Sequence, residues 1–207
     1  NAQWFIMLGA GGSVLIFNSL RDGSIVYYFK YFVKDQTLAY FGDVAWDKLA
    51  GAYMTVWLVT NLLGVLMAKP ASSRFGKKAV FMGAMAIGSV FSVLFFWVDP
   101  NDIALIFGLN VVMGVASGIV LPLIWSMYAD IADYSEWKTG RRATGLVFSS
   151  SSMSQKLGWT LGGAITGWLL AAYGFEANAE QTVESLKGIR LMITIYPAIG
   201  ALLSVLF

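Results

Sequence analysis

Hydrophobic positions fall in six runs along the chain, at residues 4–33, 45–68, 79–98, 103–129, 143–173 and 189–207, with shorter polar stretches between them. Crossing the hydrocarbon core of a bilayer takes about 20 mostly apolar residues in a helix. The pattern therefore predicts an all-α polytopic membrane protein with six transmembrane helices. Charge alternates between the connections. Lys69, Arg74, Lys77 and Lys78 share one, and Lys138, Arg141 and Arg142 another, whereas the rest carry Asp35, Asp43, Asp47, Asp99, Asp102, Glu176, Glu180 and Glu184. Basic connections face the cytoplasm, which places both termini there too. Tyr27, Tyr28, Tyr31, Trp46, Trp97 and Tyr173 stand where the outer interface is expected, the depth that amphipathic rings prefer. The run Asp99-Pro-Asn-Asp reads as a tight turn. Residues 174–188 read as a solvated connector or a short amphipathic surface helix.

Composition sharpens the class. Of 207 residues, 57% are hydrophobic and only 13% charged, against about a quarter charged in soluble domains. A water-soluble globule is excluded. With neither His nor Cys in the chain, thiol chemistry, disulfides, His- or Cys-ligated metals and Ser-His or Cys-His nucleophile pairs are all removed. The net charge of +2 comes without a basic stripe interleaved with aromatics, so nucleic acid is not an expected partner; the lipid bilayer and small solutes are. Beginning at Asn1 and ending at Phe207 inside an apolar run, the chain reads as an excerpt of a longer polypeptide. The first run is too long, and lacks the basic flank, for a secretory signal peptide.

Polar residues inside the apolar runs carry the candidate chemistry. Lys156 lies about ten residues, or about 15 Å, beyond Leu146 and so near the bilayer midplane. A lysine there demands a partner or water. At about 100° per residue, Gly145, Ser149, Ser152, Lys156, Thr160, Gly163 and Gly167 share one helix face. Such a stripe fits a helix that lines an aqueous cavity in its inner half and packs through glycines in its outer half; the alternative is a Lys156 paired with a carboxylate in a structural network. Gly158 and Gly162 repeat the small-residue spacing of helix contacts. In the first run, Asn18, Arg21 and Asp22 precede Gly23 and Ser24. Either Asn18, Arg21 and Tyr27 border a pathway, or the segment is a structural kink. Trp125, three residues after Pro122, either stacks on a sugar ring or packs as an ordinary core aromatic.

The fourth and fifth runs are joined by a segment with acids at Asp130, Asp133 and Glu136 and bases at Lys138, Arg141 and Arg142. Asp130 and Asp133, three apart, share a helix face where basic partners from other helices could clamp a cytoplasmic gate. Exposed pairs are individually weak, so the gate opens at modest cost.

The run Asp133-Tyr-Ser-Glu-Trp-Lys-Thr-Gly-Arg-Arg-Ala-Thr-Gly, continuing to Ser149 and Gln155-Lys156-Leu157-Gly158, resembles the glycoside-pentoside-hexuronide:cation symporters of the major facilitator superfamily, which include melibiose, glucuronide and xyloside permeases. The resemblance covers essentially the whole chain and implies the C-terminal six-helix half, residues 1–207, with an N-terminal half as partner. It implies that Lys156 lies at the sugar and cation cavity, with Ser151 and Ser152 lining the sugar site. Asp130, Asp133, Glu136 and Arg142 are implied to lock the cytoplasmic side by salt bridges between the halves. Residues 71–78 resemble the superfamily loop that also contributes Arg74 to the gate, although Ser73 stands where Asp is usual. No cofactor is implied; the coupling cation, Na⁺ or H⁺, is held mainly by acids of the N-terminal half.

The expected function is secondary active symport of a sugar or glycoside with a cation across the inner membrane, with substrate hydroxyls bonded by Lys156, Ser152 and Gln155. The alternatives are a facilitator for lipids or drugs, with a wider apolar cavity, and an intramembrane hydrolase using Ser149 or Ser152 with Lys156.

Overall fold

A computed structural model of the chain describes residues 2–140 and 143–206. Helix α1 (Ala2–Tyr27) passes directly into a π-helical stretch, Tyr28–Val33. A small hairpin follows, with β1 (Gln36–Leu38) antiparallel to β2 (Gly42–Val44) and Gln36 opposite Val44. Then come α2 (Trp46–Phe75), α3 (Lys77–Leu94) with a 3-10 turn at Phe95–Trp97, α4 (Ile103–Thr139), α5 (Thr144–Ala172), α6 (Val183–Ile193) and α7 (Ile195–Leu206). Among the described residues, five stretches are long and apolar enough to cross a membrane: Gln3–Val33, Trp46–Phe75, Lys77–Trp97, Ile103–Thr139 and Val183–Leu206. The fifth helix in chain order, α5, has 29 residues and is long enough at about 43 Å, but Ser149 to Ser152, Ser154, Gln155 and Lys156 dilute its hydropathy.

Several boundaries differ from the hydropathy pattern, for identifiable reasons. Helix α2 continues through Pro70 to Phe75 rather than ending at residue 68, and turns into α3 at Gly76 (φ 83°), a backbone that favours glycine. The basic cluster is therefore a helical corner and not a loop. Helix α4 runs ten residues past 129 and stops at Gly140 (φ 69°), whose N–H bonds Glu136 O at 2.8 Å. Asp130, Asp133 and Glu136 are thus helical. The tight turn forms as expected: Asp99 Oδ1 accepts from Asn101 N at 2.8 Å, and Asp102 caps α4 by accepting from Leu105 N at 3.1 Å. Tyr28 lies in the core, 1% exposed, and not at the interface, because the π-helical stretch turns it inward against Phe95.

The last apolar segment starts at Val183, six residues earlier than its hydropathy run, and is two helices broken at Thr194 (φ −120°, ψ −80°). Pro197 has no N–H to give to the carbonyl of Ile193. Two serines of α3 secure the junction: Ser92 Oγ donates to Thr194 O at 2.7 Å and Ser89 Oγ to Ala198 O at 3.1 Å.

Small residues set the helix spacing. Gly64 of α2 and Gly114 and Gly118 of α4 let those two helices approach so closely that a Cβ on Gly118 would sit 2.8 Å from the Asn61 carbonyl carbon. Backbone cannot yield as a side chain does. Gly118→Ala is therefore expected to lower the stability of the purified protein by about 1–3 kcal/mol, the usual cost of overpacking, read as a lower melting temperature, while Gly51→Ala, in open space inside α2, should raise it slightly, since Ala is the better helix former. Along α1, one edge receives α5 at Gly158 and Gly162, which meet Leu15 and Ser19, and the other receives α7 at Gly200 beside Phe17. Gly163 and Gly167, expected to pack, have nothing within 4 Å; of the two small-residue edges of α5, only the one facing α1 is used.

Candidate functional site: a cleft and a polar face on the fifth helix

Docking of α5 through Gly158 and Gly162 decides which of its side chains remain accessible. The buried edge holds Val147, Ser151, Gly158, Gly162, Thr166 and Leu170. Rotated away from it are Gly145, Ser149, Lys156, Thr160, Gly163 and Gly167, all exposed, with Ser152 half-buried. Lys156 therefore projects from the bundle on a polar face at mid-helix, neither sealed among aliphatic side chains nor joined to a carboxylate within 4 Å among the described residues.

Beside this face lies a narrow cleft between α1, α4 and α5, with room of ≈ 20 Å³, bordered by Gly11, Leu15, Trp125, Tyr128, Ser151, Ser154 and Gln155. It brings together Trp125, Ser151 and Gln155, three of the residues expected at the sugar site. The Trp125 ring stacks on Phe148, with centroids 6.0 Å apart and planes 6° apart, so one of its faces is already covered. Tyr128, which follows Trp125 after Pro122 but was not among the expected site residues, also borders the cleft. Its hydroxyl donates to Met7 O at 3.1 Å, and Gly11 makes room for it, since a Cβ there would lie 2.8 Å from that oxygen. The available signal was its position one turn beyond Trp125 on the same helix face.

The remaining candidates lie elsewhere. Asn18 is buried and accepts from Ser117 Oγ at 3.3 Å. Tyr27, half-buried, packs edge-on against Phe175 at 5.1 Å. Arg21, only 1% exposed, points to the opposite side of α1 from α5, into a box formed by α2 and α4. One guanidinium nitrogen, Nη2, donates to the Tyr53 hydroxyl and, at 3.0 Å, to Asn110 Oδ1; the other, Nη1, contacts Met113 Sδ at 3.6 Å. Its carbon stands 4.2 Å from the centre of the Trp57 ring, close enough for cation–π attraction. Helix α1 is continuous across Arg21, so there is no break in the helix there.

At the other end of α4, Lys77 Nζ contacts both carboxylate oxygens of Asp130 at 2.7 Å. Asp130 is thus paired within this chain, by Lys77 of α3. Arg74 is exposed, its guanidinium 5.4 Å from the Phe75 ring. Asp133 and Glu136 are exposed on the protruding end of α4, and Arg142 lies outside the described residues. This contact also puts the α2–α3 corner and the C-terminal end of α4 on one side of the bundle, where Trp4 Nε1 joins α1 to Ser150 Oγ of α5 at 3.2 Å.

The three hydroxyls Ser149, Ser151 and Ser152 each donate to a carbonyl of their own helix, at 3.2, 2.6 and 2.9 Å, which leaves their oxygens free only to accept. A bundle of long apolar helices, five of which among the described residues can cross a membrane, defines a multi-pass membrane protein. Residues 4–207 match the family described as MFS/sugar transport protein, and the chain belongs to that family. It is 33% identical over 99% of its length to the inner membrane symporter YicJ of Escherichia coli strain K12, and 32% identical over 97% to the isoprimeverose transporter of Lactiplantibacillus pentosus. It is also 28% identical over 95% of its length to the glucuronide carrier protein homolog of the same E. coli strain. The chain spans 40–42% of the length of these relatives. Family and relatives are transporters and not enzymes, which removes the hydrolase reading.

Proposed function

We propose that this chain is one six-helix half of a symporter that carries a sugar or glycoside together with Na⁺ or H⁺, and that α5 is the sixth span. The observation that carries the reading is the exposed face of α5, with Lys156 at its middle and Trp125, Ser151 and Gln155 in the adjoining cleft. A cation and hydroxyls at mid-membrane depth are what a polyhydroxylated solute requires, and they are costly there for any other purpose. The isoprimeverose transporter and the symporter among its relatives favour this reading over a lipid or drug facilitator. A second, N-terminal half closes the other wall of the cavity and holds most ligands of the coupling cation, and the two halves rock about the midplane site. The ends bearing Lys69, Arg74, Lys77, Lys78 and Lys138, and both termini, face the cytoplasm. There Asp133, Glu136 and Arg142 meet the partner half, while the Lys77–Asp130 pair braces α3 against α4.

The test is uptake of a panel of labelled glycosides by the intact native protein in vesicles, with Na⁺ or proton gradients imposed separately. Accumulation of at least one glycoside that collapses with one of the gradients is expected. Gradient-independent movement of an apolar compound, with no glycoside carried, would overturn the reading.

A further inference from the structure

A second groove, of about 560 Å³, opens between the ends of α1, α3, α4 and α7, well within the 300–1,000 Å³ typical of ligand sites. Its walls include Ile6, Ala10, Phe81, Met82 and Val205, and Lys78 stands with Asp130 at its mouth. The Asp130 carboxylate is taken on both oxygens by Lys77, so its charge is balanced locally. Lys78 is exposed and has no ion pair among the described residues, and the exposed Lys69 and Arg74 on the adjoining end of α2 add to the positive field. A lysine with no ion pair among the described residues therefore stands beside a largely apolar trough among membrane-crossing helices.

We propose that this groove binds an anionic phospholipid, with the headgroup phosphate on Lys78 and an acyl chain along Ile6, Phe81 and Val205. The walls would repel a free polar anion, and the mouth disfavours a lipid of zero net charge. Basic recesses between transmembrane helices on the cytoplasmic side select anionic headgroups for this reason. The site rests on the cytoplasmic placement of the basic ends, and not on the identity of the transported solute.

Native mass spectrometry of the intact native protein, titrated with phosphatidylglycerol and separately with phosphatidylcholine, tests it. Phosphatidylglycerol adducts are expected to be retained preferentially. Lys78→Gln should lower their apparent affinity about fivefold, equivalent to ~1 kcal/mol for one lysine at an anionic surface. Ile6→Trp, which fills the trough, should remove them, and Met82→Trp repeats that arm if the first variant does not fold. Lys48→Gln, at the opposite end of the bundle, should leave them unchanged. Equal retention of the two lipids, adducts undiminished in both Lys78→Gln and the folded groove-filling variant, or displacement of the lipid by inorganic phosphate alone would overturn the proposal.

Discussion

Replacing Lys156 with Gln is expected to lower glycoside uptake by the intact protein about 10- to 100-fold, the loss produced when a charge-assisted hydrogen bond worth about 1.5–3 kcal/mol disappears. Lys156 projects from the exposed face of α5 and packs against nothing in the bundle core, so the melting temperature should not move. That split between activity and stability is the informative part. Lys156→Arg keeps the charge but offers a planar fork in place of a compact ammonium, and intermediate uptake is expected. Binding of a labelled glycoside by the purified variants separates lost recognition from lost turnover. Unchanged uptake in Lys156→Gln would remove α5 from the substrate cavity.

The opposite split is expected at Arg21. Arg21→Met keeps much of the volume but orphans the Tyr53 hydroxyl and Asn110 Oδ1, both in buried residues of the α2–α4 interface. Each unsatisfied buried group costs about 1–3 kcal/mol, and loss of the contact with Trp57 adds about 0.5–2 kcal/mol. A large fall in melting temperature and in yield of folded protein should result. Arg21→Lys should recover little of it, since one ammonium cannot serve Tyr53, Asn110 and the Trp57 face in the same geometry. Adding Tyr53→Phe to Arg21→Met removes one orphan and should restore part of the stability. A wild-type melting temperature for Arg21→Met would mean that the guanidinium does not hold α1 to α2 and α4.

The contrast between these two basic residues explains what could be read from the sequence. Hydropathy located the long helices because burial in lipid demands nearly unbroken apolar runs, and the alternation of charge between connections placed Lys77 and Asp130 at one end. Face analysis of α5 grouped Lys156 with Ser149, Thr160, Gly163 and Gly167, all of them exposed, because a helix has one period whatever surrounds it. It could not tell which glycine pair would dock on α1, since both edges have the same spacing and Leu15 and Ser19 decide the matter from another helix. Arg21 illustrates the same limit. Its interruption of an apolar run was plain, but its partners Tyr53 and Asn110 lie 32 and 89 residues away. The end of α4 escaped because helical order there continues beyond the apolar stretch, where hydropathy no longer reports it. The break at Thr194 was marked only by Pro197, and the serines that secure it belong to α3.

The 37 residues of α4 make a rod of about 55 Å, against a hydrocarbon core of about 30 Å. Because a helix satisfies its own backbone groups, it can leave lipid for water without a joint at the boundary. The shaft clamped to α2 at Gly114 and Gly118 and the tip bearing Asp133 and Glu136 therefore belong to one continuous helix, whose ladder lacks the bond that Pro122 cannot give to Gly118 O. A small tilt at the level of the cleft swings the acids through a wider arc, without a flexible loop to absorb it.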